Sequence, residues 1–111
     1  MPHNAQAVHE LKADLFRVLG HPARVRILEL LRDGERSVGA LQAELELDSG
    51  GTSQHLAALR RIGLVESRRA GTSVFYRVAD ERAFDLLTVG RAIISRRLAE
   101  QQSVLEDLET T

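Results

Sequence analysis

Apolar residues recur at helical spacing through the first third of the chain. Those of the first stretch are Val8, Leu11, Leu15, Val18 and Leu19. They predict an amphipathic helix over residues 6–19 that ends at Gly20. His21-Pro22 restarts the chain, with His21 as a structural cap and Pro22 at the first helical position, where no N–H is needed. The next apolar run ends at Asp33-Gly34 and predicts a second helix that is buried almost all round.

The middle of the chain predicts two further helices joined by a tight turn. Ser37 is suited to cap a third helix, whose inward residues would be Val38, Leu41, Leu45 and Leu47. The turn is predicted at Asp48-Ser49-Gly50-Gly51, and a fourth helix is expected over residues 50–62. Two helices separated by so short a turn are typical of a helix-turn-helix unit.

A hairpin and a long helix complete the pattern. The β-prone runs 64–69 and 73–78 flank Ala70-Gly71-Thr72, which predicts two strands around a Gly-containing loop. Asp80 is suited to cap a last helix over residues 81–108. This order predicts a mainly α fold with a small β-hairpin, a winged helix-turn-helix (α-α-α-α-β-β-α). Residues 1–111 are interpreted as a single domain with a flexible arm (1–5), a helix-turn-helix (37–62), a wing (64–78) and a dimerisation helix (80–108).

Charge changes this picture because it is unevenly distributed. The net charge is −1, yet residues 49–79 contain five arginines and one acidic residue, Glu66. A phosphate backbone responds to the local charge, so this segment is the predicted contact surface for nucleic acid. All but one of the 15 basic residues are Arg, whose planar guanidinium suits both phosphate and guanine.

Several motifs resemble the ArsR/SmtB regulators, in the same order along the chain. They are Gly20–Leu31 (GHPARVRILELL), Ser53–Arg60 (SQHLAALR), Gly63-Leu64-Val65 and Arg68–Tyr76 (RRAGTSVFY). The resemblance implies a transcription regulator that binds a palindromic operator as a homodimer, with its first and last helices at the dimer interface. It also implies that the fourth helix lies in the major groove and that the wing follows the DNA backbone.

Helical geometry independently predicts an outer face on the fourth helix. At 100° per residue Thr52, Leu56, Leu59 and Gly63 lie inward, and Gly50, Gly51, Gln54, Ala58 and Arg61 lie outward. The predicted DNA contacts are Ser49, Gly50, Gly51, Ser53, Gln54, His55, Arg60, Arg61, Arg68, Arg69, Thr72 and Ser73. Since side chains alternate along a strand, only one of Arg68 and Arg69 is expected to face the duplex. Gly50 and Gly51 stand where the family usually has polar residues, and they are expected to admit a phosphate close to the helix N-terminus.

The length of the last helix predicts a dimer. A helix of 28 residues is roughly 42 Å long, which is more than one small domain can cover. The predicted interface residues are Leu11, Leu15, Leu87, Ile94, Leu98 and Leu105. A symmetric pair would place two recognition helices about one DNA turn apart, on a palindromic site.

The histidines are the candidate ligands for a metal ion, because the chain has no Cys. The thiolate site that the family carries in its third helix is replaced by Ser37-Val38-Gly39, and the last helix has no His, so sensing of soft ions is not expected. After loss of Met1, the new amino group and His3 could ligate Ni(II) or Cu(II), with His9 and nearby carboxylates completing a site. The alternative is a frayed terminus with two solvated histidines.

The residue types present also bear on whether the chain is an enzyme or a protein-docking module. No nucleophilic Cys, phosphate-binding Gly-rich loop or catalytic His-carboxylate spacing is present, so an enzyme is not expected. A winged helix can also serve as a protein-docking module, but the outer face of the fourth helix is neither apolar nor acidic. A constitutive regulator without an effector stays open. With no apolar leader in residues 1–10 and no apolar run of spanning length, the expected compartment is the cytoplasm.

Overall fold

The fold was analysed in a computed structural model, which describes residues 5–111. The elements in chain order are α1 (Ala5–Leu19), α2 (Pro22–Leu30), a 3₁₀ turn (Leu31–Asp33), β1 (Arg36–Ser37), α3 (Val38–Leu45), α4 (Ser49–Arg61), β2 (Val65–Ala70), β3 (Ser73–Val78) and α5 (Arg82–Thr110). The predicted winged helix-turn-helix fold class is confirmed. β1 and the 3₁₀ turn were not predicted.

Side-chain caps begin two of the helices as the sequence predicts. His21 precedes α2, and its Nδ1 accepts a hydrogen bond from the Ala23 N–H at 3.2 Å. Ser37 precedes α3, and its Oγ accepts from the Ala40 N–H at 3.1 Å. Each cap satisfies an amide that has no partner within its own helix.

The hydrophobic core is formed by α2, α3, α4 and β2. Its fully buried apolar side chains are Ile27, Leu28, Leu41, Leu56, Leu59 and Val65. The expectation that α2 is buried almost all round is wrong. Of its residues only Ile27 and Leu28 are buried. The charged Arg26 and Glu29 lie on an exposed side of the same helix.

The wing is a hairpin that belongs to a three-stranded antiparallel sheet in the order β1-β3-β2. Ala70 pairs with Ser73, so the loop contains only Gly71 and Thr72. Gly71 has a φ of 62°, the left-handed conformation that the first position of a two-residue hairpin turn requires. The short strand β1 is the third strand of the sheet, and its Arg36 pairs with Tyr76 of β3.

The described chain divides into two compact units, the first ending at Glu81 and the second comprising Arg82–Thr111. The helix-turn-helix and the wing lie in the first unit, and α5 forms the second. Among residues 5–111 no helix combines the length and the apolar character that a bilayer span requires.

Candidate nucleic-acid interface

The start of α4 differs from the sequence-based prediction. The helix begins at Ser49 with Asp48 as its cap, so Ser49, Gly50 and Gly51 lie in the first helical turn and not in the loop. Asp48 Oδ1 accepts a hydrogen bond from the Gly51 N–H at 2.6 Å. The carboxylate takes up one of the amides at this end, and it puts a negative charge at the helix start. The approach of a phosphate to Gly50 and Gly51 stays a prediction.

The inward face of α4 is largely as predicted. Thr52, Leu56 and Leu59 are buried, whereas Ser53 and Gln54 are exposed. Ala58 was predicted to lie outward, but it is only 7% exposed. The outer face of α4 therefore does not include Ala58.

His55 is a half-buried part of the helix packing. Its ring lies 4.3 Å from the ring of His21, and its Nδ1 accepts a hydrogen bond from Arg24 Nε at 3.1 Å. Partial burial, then the nearby His21 and Arg24, lower the pKa of His55 below its ordinary value. The predicted contact of His55 with DNA stays a prediction, and its Nδ1 is already engaged within the protein.

Two exposed arginines, Arg60 and Arg61, lie in the last turn of α4. Arg60 Nη1 donates to Ser67 Oγ at 3.4 Å, which joins the end of α4 to β2. Arg61 is exposed and has no ion-pair or hydrogen-bond partner among residues 5–111. Both guanidinium groups lie at the C-terminal end of the helix, where positive charge is favourable.

The wing arginines are not equivalent. Arg68 pairs with the Glu35 carboxylate and lies 4.7 Å from the centre of the Phe75 ring. Arg77 pairs with Glu66 at 2.5 Å. Arg69 is exposed and forms no ion pair in the described part of the chain. Which of Arg68 and Arg69 faces a duplex stays a prediction, and in the described structure Arg68 is paired whereas Arg69 is not.

A cleft rich in hydroxyl groups is lined by both α4 and the wing, and Val38 and Val74 also form part of its wall. Ser53 lines it with Thr72 and Ser73, and the cleft has a volume of about 410 Å³. Ser37 and Tyr76 also contribute hydroxyl groups, and neither residue was predicted to contact DNA. These two residues come close because β1 pairs with β3. The linear pattern does not indicate this pairing.

Large apolar side chains remain exposed on α1 and on α5. On α1 they are Val8, Leu11 and Phe16; on α5 they are Leu86, Val89, Ile93, Ile94, Leu98, Val104, Leu105 and Leu108. Of the predicted interface residues, Leu15 and Leu87 are half-buried in the single chain and the others are exposed. Phe16, Val89 and Ile93 were not predicted, because they lie away from the predicted apolar stripe of each helix.

The proposed metal-binding arm is not tested by the structure. His3 lies outside the described residues, and His9 is an exposed residue of α1. Among residues 5–111 no three His, Cys, Asp or Glu side chains are grouped so that they could hold a metal ion. Binding of Ni(II) or Cu(II) therefore stays a prediction.

Comparison with known proteins decides the family. A family model described as "Bacterial regulatory protein, arsR family" matches residues 21–67. An uncharacterized HTH-type transcriptional regulator of Mycobacterium tuberculosis, Rv0081, is 44% identical over 105 residues, which cover 94% of this chain and 92% of that protein. The chain belongs to the ArsR family. It is a transcriptional regulator with a winged helix-turn-helix DNA-binding domain, and the expectation that it is not an enzyme is confirmed.

Solved structures of the ArsR family agree with this architecture. The crystal structure of Rv0081 has a TM-score of 0.79 and 43% identity, covering 85% of this chain and 95% of that one. A solution structure of the homodimeric winged helix-turn-helix DNA-binding domain Mb0332 from Mycobacterium bovis has a TM-score of 0.78 and 31% identity, covering 90% and 93%.

Proposed function

We propose that this ArsR-family regulator binds a palindromic operator as a homodimer, with α4 in the major groove and the wing along the DNA backbone. In this arrangement Gln54 and Ser53 contact base edges, since an amide can bond adenine bidentately. Arg61 and Arg69 contact phosphates, which set affinity and register without sequence information. Because the bacterial chromosome lies in the cytoplasm, the proposal places the protein there.

One observation carries the proposal: the exposed side of α4 and the tip of the wing both line one cleft that is rich in hydroxyl groups. Ser53 comes from α4, and Thr72 and Ser73 come from the wing. The free guanidinium groups lie on the same two elements, Arg61 on α4 and Arg69 on β2. A surface for docking an apolar or acidic peptide would need different side chains, so DNA is the partner that these residues favour.

The exposed apolar residues of α1 and α5 support the dimer. Leu11 is 70% exposed and Leu98 is 58% exposed, values that an isolated small domain would not maintain over a long helix. Mb0332, which has the same fold, is homodimeric. A two-fold axis would repeat the α4 surface about one DNA turn away, roughly 34–36 Å.

The proposal can be tested without assuming an operator. Duplexes would be selected from a random pool by the purified protein, and affinity for a recovered duplex would be measured by fluorescence anisotropy at several salt concentrations. Recovery of a palindrome that is bound far more tightly than a scrambled duplex supports the proposal. Equal and weak binding to both duplexes contradicts it.

Variants separate the two kinds of contact. Gln54→Ala should cost about 1–3 kcal/mol on the selected duplex and relax its sequence preference. Arg69→Ala should weaken binding to all duplexes and reduce the slope of affinity against salt by about one. Arg96→Ala, which removes an exposed guanidinium from α5, is the control and should change neither. If Arg96→Ala weakens binding as much as Arg69→Ala, the wing has no special role.

A further inference from the structure

Three side chains join the start of α2 to the middle of α4. The rings of His21 and His55 are 4.3 Å apart and inclined at 50°. Arg24 Nε donates to His55 Nδ1 at 3.1 Å, and Arg24 Nη1 donates to the Val18 carbonyl oxygen of α1 at 3.4 Å. The end of α1, the start of α2 and the helix that carries the predicted base contacts are therefore connected by one group of polar contacts.

Both imidazoles in this group act as acceptors at Nδ1. His21 accepts from the Ala23 N–H and His55 accepts from Arg24. An imidazole that accepts at Nδ1 is neutral and carries its proton on Nε2. Protonation of His55 at Nδ1 would replace an acceptor by a donor that faces the Arg24 donor, so this bond would be lost.

The surrounding charges oppose protonation as well. The titratable and charged groups that the described structure places against His55 are His21 and Arg24, both from the start of α2. α1 also packs against α4, and it contributes the Val18 carbonyl oxygen through Arg24. No carboxylate pairs with His55 within residues 5–111, so a proton on its ring would be an uncompensated charge beside Arg24.

We propose that Arg24, His21 and His55 form a positioning relay for α4, and that acidification opens this relay and weakens operator binding. The inference rests on the proposed function for its effect on DNA. Arg24 and His21 are positioning residues, because they act on the DNA-binding helix through His55. The partly buried position of His55 and its two basic neighbours lower its pKa, so the bonded neutral form prevails near neutral pH.

The sign of the pH effect distinguishes the relay from a direct contact. A group whose pKa is lowered by folding contributes stability above its ordinary pKa, and this contribution is lost as the pH falls through the lowered value. The relay therefore predicts weaker DNA binding in acid. A protonated His55 that contacted a phosphate directly would instead strengthen binding in acid.

The first test needs no DNA. Long-range ¹H–¹⁵N NMR spectra of the full chain report which ring nitrogen of His55 is protonated, and amide exchange reports the opening of α4. As the pH falls from neutral to below the ordinary value of 6.5, the expected result is protonation of His55 together with lower protection factors in α4, that is, faster exchange relative to the intrinsic rate at each pH. Titration of His55 without any change in α4 would overturn the relay, whatever the protein binds.

The second test uses variants on the selected duplex. In His55→Asn the amide oxygen lies close to the position of Nδ1 and does not titrate, whereas His55→Ala removes the acceptor. His55→Ala should bind about three- to tenfold more weakly at neutral pH, the effect of one hydrogen bond. His55→Asn should recover part of that loss and show a flatter pH profile than the wild type.

With a chelator present to exclude any metal at the N-terminal arm, His9→Asn is the matched control, because it removes an exposed histidine of α1. It should keep the pH profile of the wild type. A profile that flattens equally in His9→Asn, or that keeps its slope in His55→Asn, overturns the proposal. If no duplex is selected at all, the proposed function fails while the NMR test still decides the relay.

Discussion

The Arg68 guanidinium of the wing pairs with the Glu35 carboxylate at the turn before β1. Arg68 Nε lies 2.9 Å from Oε1 and 2.8 Å from Oε2 of Glu35, and Nη2 also bonds Oε1. The Phe75 ring on β3 lies beneath the same guanidinium. This pair uses one of the five arginines of the basic segment to link β2 with the residue before β1. The wing therefore offers less positive charge to a duplex.

Glu35→Gln should release Arg68 toward DNA. Non-specific affinity should rise, and the slope of affinity against salt should steepen by about one because one more phosphate is neutralised. The measurement is anisotropy on a scrambled duplex at several salt concentrations. Glu29→Gln removes an exposed carboxylate from α2 and should leave the slope unchanged. An unchanged slope in Glu35→Gln would mean that Arg68 does not reach the duplex even when released.

The same pair should make stability depend on pH. The hydrogen bond from Arg68 is the main cause that lowers the pKa of Glu35. Because the folded pKa is depressed, the stabilisation is present above the ordinary value of 4.5 and is lost as the pH falls through the lowered value. Thermal melts should therefore separate the wild type from Glu35→Gln near neutral pH and converge in acid. A constant difference at all pH values would contradict this.

Gly50 and Gly51 offer a matched pair of substitutions at the start of α4. A Cβ at Gly50 would lie 3.8 Å from Asp48 Oδ1, an ordinary contact, whereas a Cβ at Gly51 would lie only 3.0 Å from the same atom. Gly50→Ala should stabilise the fold by up to about 1 kcal/mol through helix propensity. Gly51→Ala should not, since it disturbs the Asp48 cap, which is worth about 1 kcal/mol. Melting temperatures would decide, and equal gains would show that the cap adapts.

Local chemistry made much of the fold predictable. Caps such as His21 and Ser37, the glycine of the wing loop and the inward face of α4 all depend on residues a few positions apart, so spacing alone identifies them. The Asp48 cap was also within reach, because Asp is a preferred residue before a helix. It was not predicted, because Asp48-Ser49-Gly50-Gly51 was interpreted as a turn.

The candidate site was less predictable because its contacts join distant parts of the chain. Glu35 and Arg68 are 33 positions apart, and Arg24 and His55 are 31 apart. A local charge count cannot show that Arg68 is paired by an acid outside the basic segment. Nor can a helical wheel show that Ala58 is covered, since its 7% exposure depends on elements that pack against α4 from elsewhere in the chain.

Thr52 tests the buried polar link at the start of α4. Its side chain is fully buried, and its Oγ1 donates to the Asp48 carbonyl oxygen at 2.9 Å. Thr52→Val keeps the shape and removes this bond, so it should destabilise the fold by about 1 kcal/mol. Thr88 makes the same kind of bond to Phe84 at 2.9 Å but is exposed, and Thr88→Val should have a much smaller effect. Chemical denaturation would measure both, and equal effects would exclude burial as the reason.

The exposed apolar residues of α5 allow the proposed dimer to be tested separately from DNA. Leu98→Asp places a charge where a dimer would bury an apolar side chain, and an unpaired buried charge is strongly unfavourable. We expect sedimentation to show a monomer for Leu98→Asp and a dimer for the wild type. Affinity for the selected palindrome should fall steeply, while weak binding to a single half-site should persist because α4 and the wing are unchanged.

Two controls make that result specific. Ser103→Asp introduces the same charge at an exposed polar position on the opposite side of α5 and should leave the dimer intact. Leu11→Asp tests α1, whose Leu11 side chain is 70% exposed, and it should shift the equilibrium in the same direction as Leu98→Asp. A Leu98→Asp protein that stays dimeric would exclude this part of α5 from the interface. A monomeric wild type that still binds the whole palindrome cooperatively would mean that the DNA itself brings the two copies together.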